Sequence, residues 1–317
     1  TGATGVSLPC FYAAGKGLGS AGVSAGDGRP VRFGRVDGPL DGDAAVVVAS
    51  AHARAEGLAV VLGFDCITGG SGTWAGDLKW LGTEGWEDFF QRYRRAARHY
   101  ALLAELAQAD LLSLGTGMVK ATVTAQADGE TPGPLEVEAR ALKRSEWVRT
   151  IAEARTLYAG PVTFSAGWPQ AQRIDFWDEL DAVGVLLFPH LYSEQDAAPS
   201  NGEQTVAART AGAELWPAER FARSVGRPLV VTGVGFRSTE RGAAGVIDSG
   251  GAADEASQAT LYRELTASLS SLERNGRAPR GLFVWSWATD PAAGGASDRG
   301  YTPQGKRALR ELVALFR

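Results

Sequence analysis

The chain has 317 residues, 44% of them hydrophobic, with nine Trp and a net charge of −4 in which the two signs are well mixed. That size supports a substantial core and suits a single (β/α) barrel domain, for which roughly 200 to over 400 residues is ordinary. The mixed surface charge offers no stripe for nucleic-acid phosphates or an anionic membrane, no apolar run approaches the roughly 20 residues of a bilayer span, and no signal peptide is read at the start.

Two stretches share one grammar. Ala109 to Lys120 (A-D-L-L-S-L-G-T-G-M-V-K) and Pro228 to Ser238 (P-L-V-V-T-G-V-G-F-R-S) are apolar runs that break at Thr-Gly, the pattern of a buried parallel strand opening into a loop. In both, the residue after the threonine is glycine, Gly117 and Gly233.

In chain order, a strand at 5–8 leads into a long Gly-rich loop carrying Phe11 and Tyr12, then an Ala-rich helix at 43–56 and a strand at 58–64. The loop 65–83 holds Asp65, Trp74 and Trp80, and long loops after strands are usually functional. Trp86, Phe89, Phe90, Tyr93, Ala97, Tyr100, Leu103 and Leu106 recur at helical spacing and predict an amphipathic helix over 84–108 whose aromatics are core. After the strand at 110–115, Val-Thr alternation, a Gly/Pro turn and P-L-E-V-E-A predict an inserted β-hairpin over about 118–140, placed over the mouth of the site. A helix at 145–158, a strand at 161–165, a helix near 175–180 and a strand at 182–188 follow, the last ending in His190 and Tyr192. A helix ending at Ser224, the strand 228–234, a helix at 255–275, the strand 281–287 and a helix at 303–316 complete the chain. Strands alternating with helices predict a parallel sheet, and long loops at the strand C-termini favour a TIM-type (β/α) barrel with seven identifiable β/α strands. Cys10 and Cys66 fall just past two strands that would be neighbours, which leaves a disulfide and two free thiols both open.

Strand C-terminal ends face the active site in such barrels. The residues collected there are Tyr12, Asp65, Trp74, Thr116, Trp168, His190, Tyr192, Thr232, Trp285 and Asp290. Many aromatics with few charges suit a sugar, whose apolar ring faces stack on indole or phenol while its hydroxyls bond to polar neighbours. The alternative for Trp168 and Trp285 is barrel-top packing with no ligand, and a lone histidine such as His190 is as often structural as ligand-binding. No cofactor motif, no metal-ligand spacing and no G-x-S-x-G elbow is present.

The succession A-H-A-R-A-E-G-L, G-T-W-A-G-D-L, H-Y-A-L-L-A-E-L, L-G-T-G, Y-A-G-P-V-T-F-S-A-G-W, F-W-D-E-L-D-A-V-G-V, V-T-G-V-G-F-R-S, W-S-W and Y-T-P-Q-G-K resembles glycoside hydrolase family 113, β-mannanase-like (β/α)₈ barrels of a retaining clan. The resemblance runs along the whole chain, from about Thr1 to Arg317, and implies an exported setting and a mannan-type β-linked saccharide. In the family, Gly-Thr-Glu supplies the acid/base and Thr-Glu-(Ile/Val)-Gly the nucleophile; the matching positions here are Gly117 and Gly233. The family's Trp-Arg-Gly is Trp74-Ala75-Gly76, and its Ala-Asn-Trp is Ala166-Gly167-Trp168. The match begins in the family's second strand, so its first β/α unit is expected to lie outside these residues.

Retaining hydrolysis needs an acid to protonate the leaving oxygen and a carboxylate about 5–5.5 Å away to attack the anomeric carbon. Glycine supplies neither. The sequence therefore predicts a catalytically degenerate barrel that binds a saccharide or a protein partner. The alternatives are a glycosidase using Asp65, Glu194 or Asp290, and a ligand-free scaffold.

Overall fold

The computed structural model describes residues 2–14, 33–35, 43–68, 76, 83–127, 129–168, 170–188, 211–240 and 251–316. The chain divides into two compact units, Thr4–Gly184 and Val185–Arg317 with Thr1–Ala3.

In the first unit the strands are β1 (Gly5–Ala14), β2 (Phe33–Arg35), β3 (Ala59–Thr68), β4 (Leu111–Thr116) and β5 (Val162–Gly167). Their order is β2-β1-β3-β4-β5, and all except β2 run parallel to their neighbours. The region read as one Gly-rich loop thus contains more strand than expected. β1 continues to Ala14, and Tyr12 to Ala14 pair antiparallel with Phe33 to Arg35, an extra strand beside the parallel β/α series.

Helices α1 (Asp43–Ala55), α2 (Thr83–Leu106) and α4 (Pro134–Arg155) alternate with these strands. The stripe read from the sequence is the core-facing side of α2: Trp86, Phe89, Phe90 and Tyr93 are buried. Phe90 and Tyr93 meet Trp147 of α4 edge-on at 5.6 and 5.4 Å, and such pairs add about 0.5–1.5 kcal/mol each beyond area burial.

Residues 118–140 do not form a hairpin. Val119–Thr122 is a single helical turn, α3, and Pro134 already begins α4, eleven residues before the expected helix start at 145. Gly133-Pro134 is a helix entrance, since proline's fixed φ and missing N–H suit the first helical position. The Glu136–Arg140 ion pair at 2.8 Å, four residues apart, then reinforces the helix.

The cysteines are free and buried. Cys10 lies opposite Phe64 while Cys66 lies opposite Tyr12, two positions along the ladder, which separates their Cα atoms by about 8 Å, beyond disulfide reach. Burial pushes both thiols up to about 12, with the Asp65 carboxyl adding to the shift.

The second unit carries β6 (Val183–Leu187, whose first two residues belong to the first unit), β7 (Leu229–Val234) and β8 (Gly281–Val284), ordered β6-β7-β8. Its helices are α5 (Ala211–Ser224), α6 (Glu255–Arg274) and α7 (Ala308–Leu315). Asp254 caps α6, its Oδ1 accepting from the N–H groups of Ala256 at 2.9 Å and Ser257 at 3.0 Å, a contact worth about 1 kcal/mol. The loop after β8 closes on itself: the Lys306 ammonium donates to Asp298 Oδ1 at 2.6 Å and to the Gly300 carbonyl at 3.2 Å. Burial alone would raise the Asp298 carboxyl, but its bond to Lys306 holds it below the ordinary value. Among the described residues, no helix is long and apolar enough to cross a membrane.

Candidate functional site

The side-chain alternation of the first unit fixes which residues face away from its helices. Phe64 stacks on Tyr100 of α2 at 4.6 Å, and Phe164 meets Trp147 of α4 at 5.2 Å, so the even positions of β3 and β5 face the helix layer. Asp65, Thr163 and Ser165 therefore face the other way. A register shift between Ser113 and Thr116 brings both β4 side chains to that same face, opposite Thr163 and Ser165. The face is polar: the hydroxyls of Ser113 and Ser165 are 2.8 Å apart, and the Thr116 side chain bonds the Asp65 carboxyl. Asp65 keeps intermediate exposure as a residue, yet its carboxyl is deeply enclosed. Burial raises its pKa, and the Thr116 hydrogen bond offsets part of the rise.

Gly117 follows directly. Its φ is +73°, the left-handed region that costs an L-residue roughly 1–2 kcal/mol. Its N–H donates to the Ser165 carbonyl at 2.8 Å, and its carbonyl accepts from Gln170 Nε2 at 2.9 Å. The same buried amide donates to Thr122 Oγ1 at 2.6 Å, so Gln170 ties the turn to α3. From behind, Trp147 Nε1 donates to the Ala121 carbonyl at 3.0 Å and Lys143 Nζ to the Lys120 carbonyl at 3.1 Å. Burial pulls the Lys143 ammonium, which lies 5.2 Å from the Trp86 ring centre, down to about 8.

Beyond α3 the chain is tied to Arg173 and Arg140. Thr124 and Ala125 donate through their N–H groups to the Arg173 carbonyl, each at 3.0 Å, and Glu130 pairs with Arg140 at 2.6 Å and Arg173 at 2.8 Å. The bond from Arg140, with the Ala127 N–H and the Arg173 charge, holds the Glu130 carboxyl down at about 2.

Gly233 has a different setting. It lies inside β7 with no left-handed φ, and a Cβ there would meet Leu186 Cδ2 at 3.0 Å and the Phe188 ring at 3.4 and 3.5 Å. The space in front of it is walled by apolar side chains. The preceding Thr232 spends its hydroxyl on the Val185 carbonyl at 3.1 Å.

The expected site residues separate clearly. Asp65 and Thr116 are brought together. Trp168 is buried at 7% exposure just after β5, whereas Trp285 stands 41% exposed after β8. Asp290 is exposed and shapes its own turn, accepting from the Ala292 N–H at 2.9 Å. Tyr12 is placed in β1 by its backbone, while Trp74, His190, Tyr192 and Glu194 lie outside the described residues. Sequence reasoning missed Ser113, Ser165 and Gln170, whose roles depend on register and on the Gly117 turn. It also passed over Trp287, 55% exposed, although the W-S-W repeat marked it. Among the described residues, no group of three or more His, Cys, Asp or Glu side chains could hold a metal ion.

A family model described as Glycoside Hydrolase Family 113 matches residues 135–306, more than half of the chain. The chain belongs to glycoside hydrolase family 113. Solved structures agree on the fold across almost the entire length. A GH113 β-1,4-mannanase aligns with a TM-score of 0.74 at 20% identity, over 99% of this chain and 87% of the other. The GH113 β-mannanase AaManA from Alicyclobacillus acidocaldarius, in complex with ManMIm, gives 0.71 at 21% identity over 99% and 86%. The GH53 catalytic domain of Ignisphaera aggregans gives 0.55 at 16% identity over 100% and 85%. No curated protein matches the sequence. The fold is therefore the TIM-type (β/α) barrel of the GH113 β-mannanases. The family match includes Trp168, Gly233 and Trp285; Asp65 and Gly117 lie before it and fall within the structural likeness alone.

Proposed function

We propose that this GH113 barrel has lost retaining hydrolysis and binds a β-linked saccharide, of mannan type, at the strand C-terminal ends. The observation that carries the reading is that glycine occupies both positions where the family motifs put a carboxylate, Gly117 and Gly233. Losing a general acid/base typically costs about 10²–10⁴ in rate, and without a nucleophile the covalent route is gone. The surroundings support redeployment over simple truncation, because Gly117 sits in a left-handed turn tied down by Gln170 and Gly233 faces Leu186 and Phe188. Each unit keeps groups that suit a saccharide, the exposed Trp285 indole in one for a sugar face and the Asp65 and Thr116 side chains in the other for hydroxyls.

A second reading is favoured by one observation. Asp65 is an enclosed carboxyl with a raised pKa, the character of a general acid, and would act where the family uses the residue at position 117.

Titration with β-1,4-manno-oligosaccharides and with β-1,4-gluco-oligosaccharides, read by tryptophan fluorescence, tests the proposal. Saturable quenching that is lost in Trp285→Ala is expected. Flat titrations with every sugar would overturn it in favour of a protein partner or a scaffold.

A further inference from the structure

We infer that an ordered water molecule is bound inside the second unit, where the segment after β7, the first turns of α6 and residues 300–301 meet, and that it bridges the side chains of Ser238, Gln258 and Tyr262. All three residues are 0% exposed. Each carries an oxygen with no hydrogen-bond partner among the described residues: Ser238 Oγ, Gln258 Oε1 and the Tyr262 hydroxyl. Buried side-chain oxygens are nearly always bonded, to protein or to ordered water, because an unbonded one gives up its hydration for nothing in return.

The bonds made by neighbouring atoms draw these oxygens into one junction. Gln258 Nε2 donates to the Phe236 carbonyl at 2.8 Å and to the Tyr301 carbonyl at 3.0 Å. Both partners only accept, so the amide has one orientation and Oε1 is the atom left over. Tyr262 lies one helical turn beyond Gln258, on the same face of α6, and meets the Phe236 ring edge-on at 4.9 Å. Burial raises the pKa of its hydroxyl and the Phe236 amide offsets part of the rise, which sets the hydroxyl beside the backbone that Gln258 grips. Ser238 follows two residues after Phe236. Its N–H donates to the Gly300 carbonyl at 3.1 Å, and its carbonyl accepts at 3.0 Å from the N–H of Asp254, one turn before Gln258.

The donors and acceptors select the occupant. Gln258 Oε1 can only accept, whereas the Ser238 and Tyr262 hydroxyls can each donate or accept. A water that donates to Gln258 Oε1 and shares one bond with each hydroxyl makes three bonds, about the usual number for a buried water. The three oxygens carry no formal charge, and a hard cation calls for more oxygens and for carboxylates among them. With all three residues fully covered, an organic ligand has no way in. The water completes the fastening of the chain that leaves β7 onto α6.

The sign of a stability change tests this. Tyr262→Phe and Ser238→Ala each delete one hydroxyl, and each is expected to lower the melting temperature by about 1–4 °C because a formed bond is lost. The double variant is expected to lose less than the sum, since both hydroxyls act through one molecule. A melting temperature that rises in Tyr262→Phe would reveal an unbonded hydroxyl and overturn the proposal, and strictly additive losses would refute a shared water. A high-resolution crystal structure of the wild-type protein gives the direct readout. Ordered density at about 2.7–3.2 Å from all three oxygens is expected, with melts equal in sodium, potassium and choline chloride. A dry junction, or a melt that depends on which cation is present, would contradict it.

Discussion

The two glycines on which the proposed function rests, Gly117 and Gly233, are not equivalent. Gly233 sits in a regular strand, and the nearest atom to a Cβ there is the end of the Leu186 side chain at 3.0 Å. Gly117 sits at φ +73° with its N–H and carbonyl committed to Ser165 and Gln170. At the first position glycine is tolerated, and at the second the backbone requires it. On the proposed reading, a carboxylate is ruled out at Gly117 by the turn itself, whereas at Gly233 only one side chain is at issue.

Substitution breaks or sharpens that contrast most directly. Gly117→Ala is expected to cost about 1–2 kcal/mol in urea unfolding, because it places an L-residue in the left-handed region. Gly233→Ala is expected to fall within about 0.5 kcal/mol of wild type, since the relief of chain entropy offsets a small shift of Leu186. Equal costs at the two sites would remove the distinction.

A smaller effect concerns the support behind the Gly117 turn. The Lys143 ammonium is buried against α3 with its pKa down at about 8, while the unfolded chain holds that proton to the ordinary lysine value, about 10.4. Between those values the unfolded state binds more protons, so stability rises with pH through the window and the cost of burying the charge is fully present below it. Wild type should therefore gain stability relative to Lys143→Met as pH increases from about 8 to about 10.4, measured by unfolding at fixed ionic strength. A constant difference across that range would mean that Lys143 is not desolvated in the fold.

The strands were legible because buried parallel strands read as short apolar runs. Leu111–Thr116 and Leu229–Val234 lie within a residue of where their sequences put them. The α2 stripe was equally clear, since Trp86 through Tyr100 repeat at helical spacing. Residues 118–140 misled because E-V-E alternation imitates a strand; Pro134 and the Glu136–Arg140 spacing were the competing signals, and tertiary packing on α2 made the helix win. Of the residues proposed for the site, Asp65 and Thr116 were named from their place at strand ends, and their side chains meet. Their partnership with Ser113 and Ser165 depends on a register shift in β4, and Gln170 acts through a turn that exists only because Gly117 takes a positive φ. Neither is written in residue type or spacing. Trp168 had the right neighbours in sequence and is nonetheless buried, because a side chain just past a strand end is as easily packed against the barrel as presented to solvent.

The central claim is that the barrel binds without hydrolysing, and the measurement that meets it head-on is prolonged incubation of pure protein with β-1,4-mannopentaose across acid to neutral pH, with products separated and weighed by mass spectrometry. The pentaose is expected to return intact, and Asp65→Asn to give the same null result while weakening binding, because the enclosed carboxyl serves as a partner for hydroxyls. Shorter mannosides that accumulate with wild-type protein and disappear with Asp65→Asn would contradict the account and establish Asp65 as the working acid.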